Sequence, residues 1–160
     1  MIARNMNGCR LPVLDGHGSP FECRDEISRL LNEVYGYRQF RDLEIYKDLF
    51  DGKDKVVLSQ GHLVEHVIRE AEKAKDDRER PDNVLLTAPT GSGKSLLFQL
   101  PGIYLGQAYG LLTLIVSPLK ALIVDQVEGL QDLGYERVAY ASSDLSPEQK
   151  AEVYRRVREG

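Results

Sequence analysis

The residues whose types and spacing point most directly to chemistry run from Ala88 to Ser95 and read APTGSGKS. Glycines in such a loop let backbone N–H groups converge on phosphate oxygens, and a following helix adds the positive end of its dipole. A lysine and a serine at its end would reach the outer phosphates and Mg²⁺, respectively. The segment therefore predicts a nucleotide-phosphate site made of Pro89, Thr90, Gly91, Ser92, Gly93, Lys94 and Ser95.

This loop departs at one position from the pattern GxxxxGK[ST], because Ala88 stands where the pattern has glycine. Alanine is tolerated there if it keeps a negative φ angle. The apolar run Val84 to Thr87 predicts a strand before the loop, and SLLFQL predicts a helix after it that ends near Pro101 and Gly102. A strand and a helix on either side of the loop are the setting that this chemistry requires.

Two further apolar segments indicate the fold class. LLTLIV, residues 111–116, predicts a buried strand, and RVAYAS, residues 137–142, predicts another. Between them, Ser117 as cap and Pro118 as first residue predict a helix through Leu133 that ends at Gly134. This alternation predicts an α/β fold, a three-layer parallel sheet with helices on both faces, incomplete at the C-terminus of the chain.

The N-terminal half contains weaker signals. The helical spacing of Ile27, Leu30, Leu31 and Val34 predicts a short amphipathic helix, and Ser59 is the predicted N-cap of a second helix. We expect residues 1–30 to form a lead-in with the short helix, residues 31–80 a segment with the second helix, and residues 81–160 part of the phosphate-binding domain.

Composition limits the classes of function. The net charge of −4 and pI near 5.4 exclude a global basic field, so any contact with nucleic acid must be local. Two cysteines do not make a disulfide framework, and no apolar run is long enough for a membrane span or a secretory signal. We expect a cytoplasmic protein with no membrane partner.

The segments APTGSGKS, SLLFQLPGIYL and LTLIVSPLKALIVDQVEGLQDLG resemble motifs I and Ia of superfamily 2 helicases, closest to the RecQ-like branch. Upstream lies a match to the aromatic and arginine segment that helps RecQ-like enzymes hold adenine, formed by Leu31, Tyr35, Gly36, Tyr37, Phe40 and Arg41. The resemblance runs from about Leu31 to Gly160, and it implies that residues 31–80 are an adenine-recognition segment and residues 81–160 part of a RecA-like ATP-binding domain. It implies a RecA-like domain that binds ATP and Mg²⁺ in an ATP-dependent DNA helicase.

The residue that would read the adenine base has two candidates. The family places a glutamine three residues after the arginine, where this chain has Glu44. Gln60, at the head of the second helix, is the better candidate if an insertion separates it from Arg41. A glutamine amide can accept from the adenine N6 group and donate to N7, and the Tyr37 ring can stack on the base. Such a site would select ATP over GTP.

The same resemblance implies that Ser117, Pro118 and Lys120 contact the phosphate backbone of a DNA strand, or of RNA, although ordinary helix capping is the alternative for Ser117. The resemblance ends before an acidic segment that would bind Mg²⁺ and activate water. A second RecA-like domain is expected C-terminal to this chain. We therefore expect this chain alone to bind ATP poorly and hydrolyse hardly any of it.

Two other classes of protein remain as alternatives. Loops of this kind also serve kinases and transport ATPases, although SPLKALIVDQV fits those proteins poorly. The segment HLVEH, His62 to His66, matches the HxxEH pattern of zinc-dependent hydrolases. A catalytic zinc needs a third protein ligand and an open fourth position, and a five-residue pattern in a charged helix arises easily by chance, so two surface histidines are the alternative.

Overall fold

The computed structural model of the chain describes residues 23–46, 55–75, 78–84, 86 and 90–159. Its elements, in order, are α1 (Asp25–Tyr35), β1 (Asp42–Tyr46), β2 (Lys55–Ser59), α2 (Gln60–Lys73), α3 (Leu96–Tyr109), α4 (Lys120–Asp132) and α5 (Pro147–Glu159). Strands β1 and β2 pair antiparallel and form the only sheet in these ranges. None of the helices described is both long and apolar enough to cross a bilayer.

The two predicted N-terminal helices are confirmed as α1 and α2. Helix α1 buries one apolar stripe and ends at Gly36, whose φ of 69° is in the left-handed region that glycine adopts at little cost. Helix α2 begins after Ser59, whose hydroxyl oxygen accepts a hydrogen bond from the Gly61 N–H at 3.2 Å. This bond satisfies one of the free donors at the start of the helix, as an N-cap should.

Helix α3 is longer than predicted. We expected it to end near Pro101 and Gly102, but it continues to Tyr109 and ends at Gly110, another left-handed glycine. A proline inside a helix removes one hydrogen bond and costs about 3 kcal/mol. Burial offsets this cost, because Leu100 and Ile103, on either side of Pro101, are almost fully shielded from solvent.

The core lies where α1, α2 and α3 pack together, and we call the described residues from 23 to 110 the packed region. Strand β1 joins the core through Leu43, and α4 through Leu130. The buried apolar side chains of the three helices are Ile27, Leu30, Leu31, Val64, Ile68, Leu96, Leu97, Leu100, Ile103 and Leu105. This core joins residues from all three predicted segments, and the division at residues 30 and 80 stays a prediction.

The predicted three-layer parallel sheet is not seen in the described part of the chain, where β1 and β2 form the sheet, and it stays a prediction. Residues 111–116 and 137–142 contain no strand, and Leu112, Leu114 and Val116 are 70%, 82% and 86% exposed. The described residues of Val84–Thr87 are also without regular structure; Leu85 and Thr87 lie outside those ranges. A parallel strand takes its hydrogen bonds from neighbouring strands, and none is described beside these segments.

Helix α4 begins later than predicted. Its first residue is Lys120 and its N-cap is Leu119, not Ser117 with Pro118 as first residue. The Ser117 hydroxyl accepts instead from the Leu119 N–H at 3.4 Å, a local turn that competes with capping. The predicted end is confirmed, since the helix stops before Gly134, whose φ is 82°.

Helix α5 was not predicted, although the sequence signals it. The Ser146 hydroxyl accepts from the Gln149 N–H at 3.2 Å, and the Gln149 side chain accepts from the Ser146 N–H at 2.8 Å. This reciprocal pair is a capping box, which SPEQ encodes. No residue of α5 is buried. We call the described residues from 111 to 159 the open region.

Candidate functional site

The glycine loop and the start of α3 have the geometry of an anion site. Gly91 and Gly93 have φ angles of 81° and 78°, a conformation that turns the backbone where side chains are disfavoured. The Leu96 N–H then donates to the Gly93 carbonyl at 3.2 Å, which opens the first turn of α3. The N–H groups ahead of that turn and the positive end of the helix dipole therefore lie in and beside the loop.

Two serines of the loop fit a phosphate and its metal. The Ser92 hydroxyl oxygen is buried and has no hydrogen-bond partner, which is costly unless a ligand supplies one. The Ser95 side chain makes no capping hydrogen bond at the start of α3, although it stands at the N-cap. A hydroxyl oxygen in this position has the chemistry that Mg²⁺ prefers.

Gln60 ties the loop to the segment before β1. Its side-chain Nε2 donates to the carbonyls of Ser92 and Gly93 at 3.2 and 3.4 Å, and its Oε1 accepts from the Arg41 N–H at 3.2 Å. A Cβ on Gly93 would lie 2.6 Å from Gln60 Nε2, so a side chain there would displace the Gln60 amide. The amide is 2% exposed, and the contacts to the loop are long for N–H···O bonds.

One cleft of about 370 Å³ brings together five of the predicted nucleotide-binding residues, Tyr37, Arg41, Gln60, Gly93 and Ser95. It is lined by residues from the turn after α1, the head of α2 and the start of α3: Tyr35, Gly36, Tyr37, Arg38, Gln39, Arg41, Gln60, Gly93, Ser95, Leu96 and Gln99. Gly91, Ser92 and Lys94 belong to the same short loop. Thr90 is exposed at its beginning, and Pro89 lies outside the described residues.

An aromatic and cationic surface lines this cleft. Gly36 turns the chain after α1 so that Tyr35 and Tyr37 stack, with ring centroids 6.1 Å apart and planes 19° apart. The Arg41 guanidinium lies 6.0 Å from the centroid of the Tyr37 ring, at the edge of cation–π range. Tyr37 is 49% exposed, so its ring is accessible to a planar group.

Glu44, the other candidate for reading the base, lies away from the cleft. It is in β1, where its carboxylate pairs with the Lys55 ammonium at 3.2 Å, and its side chain is 65% exposed. It does not line the cleft, whereas Gln60 does. The geometry favours Gln60 for this role.

Gln99, which lines the cleft, was missed in the sequence. The hydroxyl of the half-buried Tyr35 donates to Gln99 Oε1 at 3.1 Å, and Gln99 Nε2 donates to Gln126 Oε1 at 2.8 Å. Burial is the main cause that raises the pKa of Tyr35 above its ordinary range, so it stays a neutral donor. The available signal was the position of Gln99, one helical turn after Ser95.

The predicted nucleic-acid residues lie outside this cleft. Ser117 and Pro118 lie just before α4 in the open region, and Lys120 is the first residue of that helix. The Lys120 ammonium pairs with the Asp144 carboxylate at 2.6 Å, and this hydrogen bond lowers the pKa of Asp144. Both side chains are more than half exposed, and such a pair contributes little to stability. A competing anion can therefore displace the Asp144 carboxylate from the Lys120 ammonium.

The HxxEH segment lies on α2 with its glutamate turned into the core. Glu65 is fully buried and accepts hydrogen bonds from Arg24 at 2.7 Å and from Arg69 at 2.8 Å. A carboxylate held in this way is not placed to activate water. Among the residues described, no three His, Cys, Asp or Glu side chains are grouped to hold a metal. The structure gives the zinc hypothesis no support.

The same glutamate is the centre of a partly buried polar network that no sequence signal revealed. Arg24 also pairs with Glu72 at 2.8 Å and donates to the Tyr104 hydroxyl at 3.0 Å, which connects the residue before α1 to α2 and α3. Burial would raise the pKa of Glu65, but hydrogen bonds from Arg24 and Arg69 outweigh it and hold this pKa below its ordinary value. The hydrogen bond from Arg24 likewise lowers the pKa of Glu72.

A glycine loop that opens a helix, beside a cleft with an aromatic wall, defines a nucleotide-binding protein of the P-loop class. The family model described as "DEAD/DEAH box helicase" matches residues 62–159, well over half of the chain. The chain belongs to the DEAD/DEAH box helicase family. Members of this family have a RecA-like α/β fold, which confirms the predicted class at that level.

Similar curated proteins confirm the RecQ-like resemblance. ATP-dependent DNA helicase Q-like 5 of Arabidopsis thaliana is 32% identical over 142 residues, which are 87% of this chain and 12% of that protein. ATP-dependent DNA helicase RecQ of Synechocystis is 31% identical over 131 residues, 82% of this chain and 21% of that protein. Human ATP-dependent DNA helicase Q4 is 40% identical over 76 residues, 48% of this chain and 6% of that protein. The chain thus spans about a fifth or less of these relatives, and no solved structure is significantly similar to it.

Proposed function

We propose that this chain is the ATP-binding portion of an ATP-dependent DNA helicase of RecQ-like type, which couples ATP hydrolysis to the unwinding of nucleic acid. The observation that carries the proposal is the contact of Gln60 with the glycine loop in one cleft. This contact would place a base-reading amide beside a phosphate-binding loop. The curated relatives, named as ATP-dependent DNA helicases, support it.

Base selection is assigned to Gln60, Tyr37 and Arg41. Gln60 Oε1 keeps one lone pair beyond the bond that it accepts from Arg41, and Gln60 Nε2 can exchange its long bonds to the loop carbonyls for a bond that it donates to adenine N7. The Tyr37 ring supplies a stacking face, with the Arg41 guanidinium at its side. A guanine presents a carbonyl where adenine has its N6 amino group, so the amide oxygen would face another acceptor. The site would therefore favour ATP over GTP.

The phosphates are assigned to the loop from Pro89 to Ser95. Its N–H groups and the start of α3 would surround the phosphate oxygens, with the Ser92 hydroxyl as a further donor. Lys94 would neutralise charge on the outer phosphates, and the Ser95 hydroxyl would hold Mg²⁺, which when bound offsets the charge that develops on the phosphates.

The nucleic-acid strand is assigned to the open region. Ser117, Pro118 and Lys120 would meet its phosphate backbone, which can compete with Asp144 for the Lys120 ammonium. We further propose that a three-layer RecA-like sheet includes residues 111–116 and 137–142, and that a second RecA-like domain completes the catalytic site. A chain without that domain would bind ATP weakly and hydrolyse hardly any. A cytoplasmic location belongs to the same proposal.

Substitution of Lys94 tests the phosphate assignment. Lys94→Ala should lower ATP affinity by tenfold or more, since a cation beside the triphosphate is lost, while circular dichroism shows an intact fold. Arg158→Ala is the matched control, because it removes the same charge from an exposed position on α5. Titration calorimetry with MgATP measures both proteins.

Equal ATP affinity in the Lys94→Ala and Arg158→Ala proteins would refute the assignment. A preference of the wild-type protein for GTP would leave the loop in place but remove the base-reading role of Gln60. DNA-stimulated ATP hydrolysis by the chain joined to a second RecA-like domain would separate a helicase from a kinase, which would transfer phosphate to an acceptor other than water.

A further inference from the structure

Gln60 and Arg41 are joined by a pair of strands where a short turn would suffice. Eighteen residues, Asp42 to Ser59, separate them in the sequence. Nevertheless the Gln60 N–H donates to the Arg41 carbonyl at 2.8 Å. Asp42 and Ser59, the first and last residues between them, are paired across β1 and β2. The strand pair therefore starts and ends directly beside two residues of the cleft.

The closing hydrogen bond is that of a β-turn, in which the fourth residue donates to the carbonyl of the first. Without the 16 residues from Leu43 to Leu58, residues 41, 42, 59 and 60 would be consecutive and the same bond would close them. Paired Cα atoms in an antiparallel ladder are about 4.5–5.5 Å apart, against about 3.8 Å for consecutive residues. The strand pair thus occupies the middle of a turn and leaves its ends nearly in place.

Two further contacts bind these ends to each other. The Arg41 N–H donates to the Gln60 side chain at 3.2 Å, which orients the amide toward the glycine loop. The Phe40 ring packs against Gly61 so closely that a Cβ there would lie 2.7 Å from the ring. The position of the Gln60 amide therefore depends on how firmly residues 40–41 and 60–61 are held together.

A leucine pair holds the strands against the core. Leu43 and Leu58 lie opposite each other across the two strands, and each is only 7% exposed. Leu43 belongs to the main core cluster. Val57, one residue away, is 66% exposed. Because a two-stranded sheet is at best marginally stable by itself, this buried pair is what keeps β1 and β2 together.

We propose that Leu43 and Leu58 are positioning residues for base recognition, which rests on the proposed role of Gln60 in reading adenine. They keep the strands paired and so hold Arg41 and Gln60 at the spacing of a turn. If the strands separate, a flexible loop of 18 residues joins these two residues. Closing such a loop is on the order of tenfold less favourable than closing a two-residue turn, by the dependence of closure entropy on loop length.

The test compares affinities for ATP, GTP and inorganic tripolyphosphate, measured by titration calorimetry. Leu58→Ser should reduce the preference for ATP over GTP about tenfold while tripolyphosphate affinity stays unchanged, because the glycine loop is not altered. Val57→Ser, the matched control on the exposed face, should keep the wild-type preference. Excision of residues 43–58 should restore the preference that Leu58→Ser loses, since a short turn replaces the loosened strands.

Three results would overturn the proposal. One is an unchanged preference for ATP in the Leu58→Ser protein, or in Leu58→Ala if the serine variant does not fold. Another is an excised protein less selective than Leu58→Ser, or unable to fold, because the strand pair would then be part of the scaffold. The third is an equal loss of tripolyphosphate affinity. A wild-type protein that does not prefer ATP over GTP would instead refute the role of Gln60 in the proposed function.

Discussion

The packed region shields its large apolar side chains from solvent, whereas the open region leaves most of its own exposed. Three helices meet in the packed region, and each turns an apolar stripe toward the others. In the open region, Val127 and Leu130 are the buried apolar residues of the described part, and the run LLTLIV is exposed. Helix α5 buries no residue and is supported by its capping box and by ion pairs of Arg155 with Glu152 and Glu159. Local signals thus suffice to form a helix, but burial requires a partner face within reach.

The polar groups of the two regions differ in the same way. Glu65 in the packed region is fully buried between two arginines, while Glu152 in the open region pairs with Arg155 at 53% exposure. The proposed nucleotide cleft lies in the packed region, and the proposed nucleic-acid residues lie in the open one. Rigid geometry is therefore available where a base must be distinguished. Contacts with a phosphate backbone carry no sequence information, so they require less rigid geometry.

The largest expected effect is the loss of Glu65. Glu65→Ala leaves Arg24 and Arg69 without their buried partner and should lower the free energy of unfolding by about 3–5 kcal/mol. Glu152→Ala removes an equivalent ion pair from the open region and should leave the Tm unchanged, because exposed pairs are screened by solvent. Chemical denaturation followed by circular dichroism compares them. Equal losses would contradict the distinction between the two regions.

The pH dependence of stability follows from the same carboxylate. The pKa of Glu65 is lower in the folded protein than in the unfolded chain, where it is close to 4.5. Its contribution is therefore fully present above pH 4.5 and is lost as the pH falls below that value through the lowered folded pKa. The Tm of the wild-type protein should fall in that range more steeply than the Tm of Glu65→Ala. If the Tm of both proteins fell equally with pH, the protonation of Glu65 would not differ between the folded and unfolded states.

A smaller effect is expected from apolar truncation. Leu100→Ala in α3 removes a fully buried side chain and should cost about 2–5 kcal/mol, the transfer term plus a cavity. Leu114→Ala makes the same chemical change at a residue that is 82% exposed and should cost no more than about 0.5 kcal/mol. Urea denaturation measures the difference. A large loss for Leu114→Ala would mean that residues 111–116 are packed in solution, as the predicted strand requires.

The sequence was sufficient for features that depend on neighbouring residues. The spacing of Ile27, Leu30 and Leu31 gave α1, Ser59 gave the start of α2, and Gly91 and Gly93 gave the turns of the loop before α3. Gln60 could be singled out because an amide has the donor and acceptor that adenine requires. The contact of Gln60 with the loop could not be predicted, because Ser92 and Gly93 lie 32 and 33 positions after Gln60 in the sequence.

Features that depend on distant residues were beyond sequence reasoning. The run LLTLIV has the composition of a buried strand, but composition does not supply the neighbouring strands that it needs. Pro101 ordinarily ends a helix, and only the burial around it lets α3 continue. The Arg24–Glu65 pair joins residues 41 positions apart, and no local pattern marks it.

The smallest stability effect expected here separates the two glycines of the phosphate loop. Alanine at either position must adopt a positive φ, at a cost of about 1–3 kcal/mol. At Gly91 nothing lies within 4 Å of the added Cβ, but at Gly93 it would lie 2.6 Å from Gln60 Nε2. Gly91→Ala should therefore weaken ATP and tripolyphosphate binding alike, whereas Gly93→Ala also displaces the Gln60 amide and should weaken ATP binding more. If calorimetry shows the same ratio of the two affinities in both variants, the contact between Gln60 and the loop does not take part in reading the base.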